Sequence, residues 1–180
     1  FNGCSRLEEL VLPASLRKVH AYAFNHTSFR TPLYDRSGTI LYHYPEQAPV
    51  TFFAVPQGVK RLAHGAFLGC AALEAVRLPE SLEVIEREAF VNTAIRSITI
   101  PSSVKTVEGF AFWNCRNLEQ VDLLCSSDAA NAYAFYQCPG VRLRQQGQEV
   151  PLPRHLRLQG VDLLGVPDKL EVPKSNFWNK

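Results

Sequence analysis

The sequence of 180 residues contains no methionine, and no apolar run approaches the roughly 18 residues that a membrane-spanning helix requires. The charged leader and apolar segment of a signal peptide are also missing from this stretch, so a signal peptide of the full protein would lie upstream of Phe1. Its formal net charge of +2 is close to balance, so a surface for binding nucleic acid is not expected. These absences exclude a transmembrane segment and a nucleic-acid partner. Because Phe1 also falls inside a repeat, we expect the chain to be a piece of a longer protein.

Sequence patterns for catalysis or metal binding are missing as well. The chain has no C-x-x-C pair, no H-E-x-x-H and no G-x-S-x-G. Five histidines share no repeat position, which is typical of surface side chains: His20, His26, His43, His64 and His155. We therefore expect no metal site, no cofactor and no catalytic centre in this chain.

What the chain does contain is a recurring Ala-Phe pair. The pair ends at Phe24, Phe67, Phe90, Phe112 and Phe135, and Phe1 stands one period before Phe24. Successive phenylalanines are 23, 43, 23, 22 and 23 residues apart. A fixed period of this length predicts an array of repeats in which each copy packs against its neighbours.

Each period carries the same apolar positions between two phenylalanines. In the clearest copy they are Leu73, Val76, Leu78-Pro79, Leu82 and Ile85. The alternation of apolar and polar residues up to the proline predicts a short strand with one buried face, which the proline ends. The last two apolar residues return on the opposite wall, and the Ala-Phe pair fills the corner as a stacked column. The long interval hides a further copy at residues 50–62, and a degenerate copy follows at 118–124.

The pattern A-F-x-x-C-x-x-L-x-x-V-x-L-P, which begins at Ala66 and recurs with small changes from Ala89, resembles the BspA-like leucine-rich repeat family. The likeness covers about Phe1 to Leu143. It implies a mostly β solenoid, a right-handed curved leucine-rich repeat array with rungs of about 23 residues, one of them irregular. It also implies a bacterial surface or secreted protein of the Bacteroides type, whose characterised members are adhesins that bind host proteins.

The irregular rung contains the segment TPLYDRSGTILYHY at residues 31–44. Two apolar and aromatic arms flank Asp35-Arg36-Ser37-Gly38, which predicts a β-hairpin in place of the usual corner. Its aromatic side chains would suit an exposed contact surface: Tyr34, Tyr42 and Tyr44, with Phe52. The alternative is that these rings pack the irregular turn.

Four of the five cysteines occupy the third position after a repeat phenylalanine: Cys4, Cys70, Cys115 and Cys138. Thr27 and Thr93 fill this position in other copies, which indicates a small buried residue and free thiols. Cys115 and Cys138 lie on successive turns, so a disulfide between them is geometrically conceivable, but we expect none.

The remaining segments are assigned by their charge and position. The run Glu83, Glu86, Arg87 and Glu88 predicts a solvated outer wall. We expect repeats over residues 1–143, with the irregular hairpin rung at 28–50. Residues 144–180 are expected to form a C-terminal cap and tail, because the end of an array must be covered.

The exposed positions of the predicted strands differ from copy to copy, whereas the apolar positions are kept. This contrast favours a binding surface for a protein ligand on the concave face, and the resemblance implies an extracellular-matrix or host surface protein. The surface would comprise Glu9, Ala75, Arg77, Ser97, Thr99, Gln120 and Asp122, with Tyr34 and Tyr42 as an anchor at one side. We therefore expect a non-catalytic, adhesin-like module. The alternatives are a targeting scaffold for a catalytic domain outside this chain, a spacer between other domains, and a sheet that is merely solvated.

Overall fold

The chain winds into a β-solenoid in a computed structural model, which describes residues 1–13, 16, 18–20 and 22–151. Its strands, in chain order, are β1 (Leu33–Tyr34), β2 (Ile40–His43), β3 (Phe52–Ala54), β4 (Arg61–Leu62), β5 (Ala75–Arg77), β6 (Val84–Ile85), β7 (Ser97–Ile100), β8 (Thr106–Val107), β9 (Gln120–Leu123), β10 (Arg142–Gln145) and β11 (Gln148–Val150). Helix is confined, among these residues, to a 3-10 turn at Ser127–Ala129. The predicted mostly β repeat solenoid is confirmed.

The strands form two sheets, because each regular turn contributes one strand to each wall. The strands β3, β5, β7, β9 and β10 run parallel in a six-stranded sheet, which β11 extends as an antiparallel hairpin with β10. The strands β2, β4, β6 and β8 run parallel in a five-stranded sheet, and β1 pairs antiparallel with β2 at its edge. We call the first the ladder sheet and the second the wall sheet.

Alternation along each ladder strand decides which side chains are buried. In β7, Ile98 and Ile100 are buried, whereas Ser97 and Thr99 are exposed. Pro101 follows directly and ends the strand, because proline has no N–H to donate to the ladder. The predicted half-buried strand followed by proline is therefore confirmed.

The phenylalanines of the Ala-Phe pairs stack as a column inside the solenoid. Phe67, Phe90 and Phe112 have no exposed surface. The ring centroids of Phe67 and Phe90 are 4.9 Å apart, as are those of Phe90 and Phe112, and each pair lies 4° from parallel. Ala66 and Ala89 are also fully buried, since the neighbouring turns leave room only for a methyl group. The predicted column is confirmed.

The irregular turn contains the predicted hairpin and one feature that was not predicted. β1 and β2 pair antiparallel around a turn in which Gly38 has a φ of 72°. After the hairpin, Tyr44 takes the place of a repeat phenylalanine, with its ring centroid 5.2 Å from that of Phe67. Its N–H donates to the carbonyl of Ala66 at 2.7 Å, as the N–H of Phe67 donates to the carbonyl of Ala89. The long interval therefore holds a complete but shortened turn.

The shortened turn contributes no strand to the ladder sheet. Leu33, the first residue of β1, follows Phe24 by only nine residues, so the chain crosses directly to the wall sheet. Phe29 is buried along this crossing. Within the described residues the ladder sheet ends at β3, whereas the wall sheet continues through β2 and β1. In the first period, Leu10 and Leu12 hold the positions that form a ladder strand in the regular copies, but they form no strand, because no ladder strand lies beside them to pair with. These leucines pack instead against a second, smaller core.

One residue at each corner of the solenoid adopts the left-handed backbone conformation, with a positive φ. The position two residues after each repeat phenylalanine has a φ between 57° and 78°, at Gly3, His26, Gly69, Asn92, Asn114 and Gln137. Glycine and asparagine adopt this conformation at the lowest cost, which explains why they fill four of the six positions. The corner thus depends on backbone conformation as well as on the buried ring.

The array continues to the end of the described region. β10 pairs in parallel with β9 and antiparallel with β11. The boundary expected at residue 143 falls inside β10. The cap expected over 144–180 lies mostly outside the described residues, so it stays a prediction.

Candidate binding face

The outward side chains of the ladder sheet form two columns, which together we call the ladder face. The first column contains Phe52, Ala75, Ser97, Gln120 and Arg142. The second contains Ala54, Arg77, Thr99, Asp122 and Arg144. Each side chain is placed by strand alternation, because the residues between them point into the core.

Polar contacts hold several side chains on the ladder face. Nε2 of Gln120 donates to Oδ2 of Asp122 at 2.8 Å, within one strand. The guanidinium carbon of Arg77 lies 5.9 Å from the ring centroid of Phe52, on the neighbouring strand. Arg77 forms no ion pair with any residue that the structure describes, so its charge is available to a ligand.

The structure groups most of the residues predicted for the binding surface. Six of them form one block on three adjacent strands: Ala75, Arg77, Ser97, Thr99, Gln120 and Asp122. Glu9 is exposed but lies in the first turn, outside the strands. A role of these residues in binding a partner stays a prediction.

The hairpin residues lie elsewhere. Tyr34 and Tyr42 belong to β1 and β2, in the wall sheet and not beside the ladder face. Tyr34 is half-buried against the main core. Tyr42 is only 3% exposed and Tyr44 only 5%. Of the two alternatives for these rings, packing of the irregular turn holds for Tyr42 and Tyr44, so Tyr42 offers no exposed anchor, whereas Phe52 is exposed.

Asp35 closes the hairpin. Burial would raise the pKa of its carboxyl, but hydrogen bonds from the Ser37 hydroxyl and from backbone N–H groups outweigh this and lower the pKa. The Ile40 N–H donates to Oδ1 at 2.6 Å. The charged carboxylate thus fixes the turn.

The charged run at residues 83–88 is not wholly solvated. Glu88 is 9% exposed, and its carboxylate contacts side chains from two other turns. Oε2 lies 3.4 Å from Nε2 of His64 and 3.3 Å from the donating hydroxyl of Tyr22, and Nε of Arg87 donates to Oε1 at 3.2 Å. The contact with His64 is the main reason that the pKa of Glu88 is lowered, against the effect of burial. The expected outer wall is therefore wrong for Glu88, because a buried carboxylate is retained where it is hydrogen-bonded and paired, here with the Tyr22 hydroxyl and the Arg87 guanidinium.

The prediction of surface histidines is wrong for His43. Its side chain is buried against Phe24 and Phe29, with ring centroids 5.8 Å from each. Burial lowers its pKa from 6.5 to about 4. His64 is also partly enclosed, with 18% of its side chain exposed.

The repeat gives only a partial sequence signal for the Glu88 cluster. Glu88 stands two residues before a repeat phenylalanine, and His64 stands three residues before the preceding one. Neighbouring positions on adjacent turns lie close together in a solenoid, so the period brings these two side chains near each other. Tyr22 belongs to a more distant turn, and its contact with Glu88 could not be found from the period.

A groove of about 310 Å³ lies beside this cluster on the wall sheet. Its lining includes Lys18, Tyr42, Arg61, His64, Glu86 and Arg87. Nη1 of Arg61 lies 3.3 Å from Oε1 of Glu86, and the other oxygen of Glu86 accepts a hydrogen bond from the backbone N–H of His64 at 2.8 Å. Because much of its charge is already paired internally, the groove is a weaker candidate than the ladder face.

The cysteines are structural within the array. Sγ of Cys115 donates to the carbonyl of Phe90, and Sγ of Cys138 to that of Phe112, both at 2.9 Å. Burial raises the pKa of the Cys70 thiol, which disfavours a reactive thiolate. All five thiols are free, as predicted. Cys4, in the first turn, is exposed, contrary to expectation.

Two further searches concern the described residues alone. None of their helical segments is long and apolar enough to cross a membrane. Nor do these residues include three or more His, Cys, Asp or Glu side chains grouped to hold a metal ion.

Comparison with known proteins identifies the type of repeat. A family model described as BspA type leucine rich repeat region matches residues 1–44 and 39–145, in six copies. No curated protein shows a significant match to the chain.

Solved leucine-rich repeat proteins share the fold. One from Eubacterium ventriosum ATCC 27560 aligns with a TM-score of 0.56 at 19% identity, over 71% of this chain and 39% of that one. One from Bacteroides ovatus ATCC 8483 aligns with a TM-score of 0.52 at 20% identity, over 81% and 45%. A leucine rich cell surface protein from Faecalibacterium prausnitzii A2-165 aligns with a TM-score of 0.50 at 18% identity, over 80% and 48%. The chain thus spans less than half the length of each, and the likeness shows the fold alone.

Proposed function

Because the chain belongs to the BspA-type leucine-rich repeat family, we propose that it is a non-catalytic, adhesin-like module that binds a protein ligand through the ladder face. The proposed setting is the cell surface or the secreted fraction, and the proposed ligand is an extracellular-matrix or host surface protein. The description of the Faecalibacterium neighbour as a cell surface protein supports this setting.

The observation that carries the proposal is the contrast between the two sides of the ladder sheet. The inward column is apolar on every strand: Phe53, Val76, Ile98, Val121 and Leu143. The adjacent outward columns change chemistry from strand to strand, from aromatic to hydroxyl, amide and both signs of charge. A fixed core with a varied outer surface is how repeat proteins build extended binding surfaces.

Two side chains on the ladder face fit a protein contact better than mere solvation. Phe52 is 54% exposed, and the Arg77 guanidinium lies over its ring. Aromatic residues and arginine are enriched in the cores of protein interfaces, and arginine is frequent among residues that dominate binding energy. The mixed charge elsewhere on the ladder face, with Asp122 beside Arg144, favours a ligand recognised through hydrogen bonds and local ion pairs.

The test compares substitutions on the two sheets. The binding variant carries Arg77→Ala, Thr99→Ala and Gln120→Ala on the ladder face. The matched control carries Glu83→Ala, Lys105→Ala and Thr106→Ala on the wall sheet. Binding of the chain and both variants to immobilised extracellular-matrix proteins is measured by surface plasmon resonance.

The ladder-face variant should bind at least about tenfold more weakly, equivalent to about 1.4 kcal/mol, while the control binds as the parent does. If only the control loses binding, or if the parent binds none of these proteins, the proposal is wrong. The alternative role as a scaffold for an enzyme predicts a catalytic domain elsewhere in the full-length gene.

A further inference from the structure

The ladder sheet has an open edge at β3. Within the described residues β3 pairs only with β5, because the shortened turn before it supplies no ladder strand. The wall sheet of the same turn is paired on both sides, with β4 between β2 and β6. The turn before β3 therefore contributes a strand to the wall sheet but none to the ladder sheet.

Strand geometry shows which backbone groups face the open edge. The carbonyl of Thr51 accepts the Ala75 N–H at 2.9 Å, and the N–H of Val55 donates to the Arg77 carbonyl at 3.0 Å. Alternate residues of a strand direct their backbone groups to opposite sides. The N–H and carbonyl groups of Phe52 and Ala54 therefore face away from β5, toward the edge that none of the described strands occupies.

The side chains at this edge also suit an added strand. Val50 is 41% exposed, whereas Leu73, which holds the same position on the next turn, is only 1% exposed. Pro49 and Pro56 bracket the segment, which limits the edge to a few residues. Short, proline-bounded edges are a common protection against uncontrolled sheet extension, so this edge is restricted to a short partner segment.

The positive charge of Arg77 near this edge favours an acidic residue in the partner segment. Arg77 leans from β5 across β3, since its guanidinium carbon lies over the Phe52 ring rather than over its own strand. The residue between Arg77 and the open edge in its own column is Ala54, which is small. A carboxylate on an added strand, next to Ala54, would lie within reach of this arginine.

We propose that the open edge of β3 binds an extended segment of a protein partner as an added parallel strand, with apolar side chains facing the core and an acidic side chain facing Arg77. This inference rests on the proposed function as a protein-binding module and specifies the form of the partner. Main-chain hydrogen bonds would provide affinity, and alternate side chains would provide specificity, as in other cases of strand addition.

The probe for the test is a synthetic peptide, NLEQVDLL, which has the sequence of residues 117–124 of this chain. In the array this segment forms β9, which already pairs in parallel with the next turn. Added beside β3 in the same register, its aspartate would stand next to Ala54. The fluorescein-labelled peptide is titrated with the full chain by fluorescence anisotropy, and amide exchange is followed by NMR.

Two N-methylated peptides test the predicted geometry without altering the protein. In this register the amide of the peptide valine faces β3, whereas the amide of its aspartate faces away. Methylation of the valine amide should weaken binding at least about tenfold, and methylation of the aspartate amide should have little effect. The amides of Phe52 and Ala54 should become at least about tenfold more protected from exchange when the unmodified peptide is bound.

A charge exchange tests the role of Arg77. A peptide with lysine in place of aspartate should bind several-fold more weakly to the parent chain, and Arg77→Glu should restore its binding.

Several outcomes would overturn the inference. These are no binding at millimolar peptide, equal effects of the two methylations, and protection outside β3. Sedimentation that shows a dimer, with the Phe52 and Ala54 amides protected without peptide, would assign the edge to a second copy instead. Loss of peptide binding would leave the matrix-protein result intact, whereas loss of matrix binding alone would refute only the proposed function.

Discussion

The rings of Phe67 and Phe90 lie 4.9 Å apart and 4° from parallel at the centre of the array. This separation matches the spacing of neighbouring strands in a sheet, which is about 4.7–4.9 Å. The hydrogen bonds of the two sheets therefore set the distance at which the aromatic column stacks. Each inner ring is held between two others, so the column connects the stability of successive turns.

The first prediction concerns that column. Phe90→Ala should lower the free energy of unfolding by about 3–5 kcal/mol, because it leaves a cavity between Phe67 and Phe112 that the turns cannot close. Phe52→Ala, at an exposed site, should change it by about 0.5 kcal/mol. Urea denaturation measures both. A loss below about 1 kcal/mol for Phe90→Ala would contradict the stacked-turn account.

The second prediction concerns the left-handed corner. Gly69 has a φ of 76°, and an added Cβ would meet only the Glu46 side chain, at 3.8 Å. Gly69→Ala should therefore cost about 1 kcal/mol, from backbone conformation rather than from a clash. Gly69→Asn should cost clearly less, since Asn92 and Asn114 fill the matching corners. Equal losses in urea would show that the corner conformation does not limit stability.

The third prediction concerns acid stability. Because burial lowers the pKa of His43 from 6.5 to about 4, the unfolded chain binds an extra proton between these values. Stability should thus be complete above pH 6.5 and fall by roughly 2–3 kcal/mol as the pH approaches 4. The pKa of Glu88 is lowered from 4.5, so protonation of this carboxyl reduces stability only as the pH falls through about 4.5. The loss of stability between pH 4.5 and 6.5 is therefore not caused by Glu88.

The control for acid stability is His43→Gln, which removes the titrating group. Its urea midpoint should change less with pH across this interval than the parent midpoint does. Parallel slopes for parent and variant would assign the pH dependence to other groups.

The fourth prediction concerns the thiols. An aromatic disulfide reagent should modify Cys4 rapidly in the folded chain, because it is exposed, and the four buried thiols only after unfolding. Unfolding without reductant should give five reactive thiols. Fewer than five would reveal a disulfide, for which Cys115 and Cys138 are the first pair to examine.

The sequence was sufficient to predict whatever the repeat enforces on every copy. Ile98 and Phe90 could be assigned to the core because each recurs at a fixed spacing and every copy must bury the same face. Tyr44 was missed although it stands one period of 23 residues before Phe67, because His43-Tyr44 replaces the Ala-Phe pair that marks the other copies.

The sequence was also insufficient to predict which polar side chains are buried. Glutamate is rarely buried unless it is paired, and histidine only sometimes. The burial of Glu88 and His43 depends on partners from other turns, which periodicity does not specify. The candidate ladder face was predictable because strand alternation fixes it, whereas the open edge at β3 arises from the absence of a strand in the irregular turn and needed the structure.

The most direct test of the proposed ladder face is hydroxyl-radical footprinting of the chain with and without a bound matrix protein. Phe52 lies on the ladder face, whereas Trp113 and Tyr136 pack beside Phe110 at a corner away from it. The account predicts that the bound protein lowers oxidation of Phe52 at least about fivefold and leaves Trp113 and Tyr136 unchanged. Protection of Trp113 and Tyr136 with Phe52 still oxidised would contradict it.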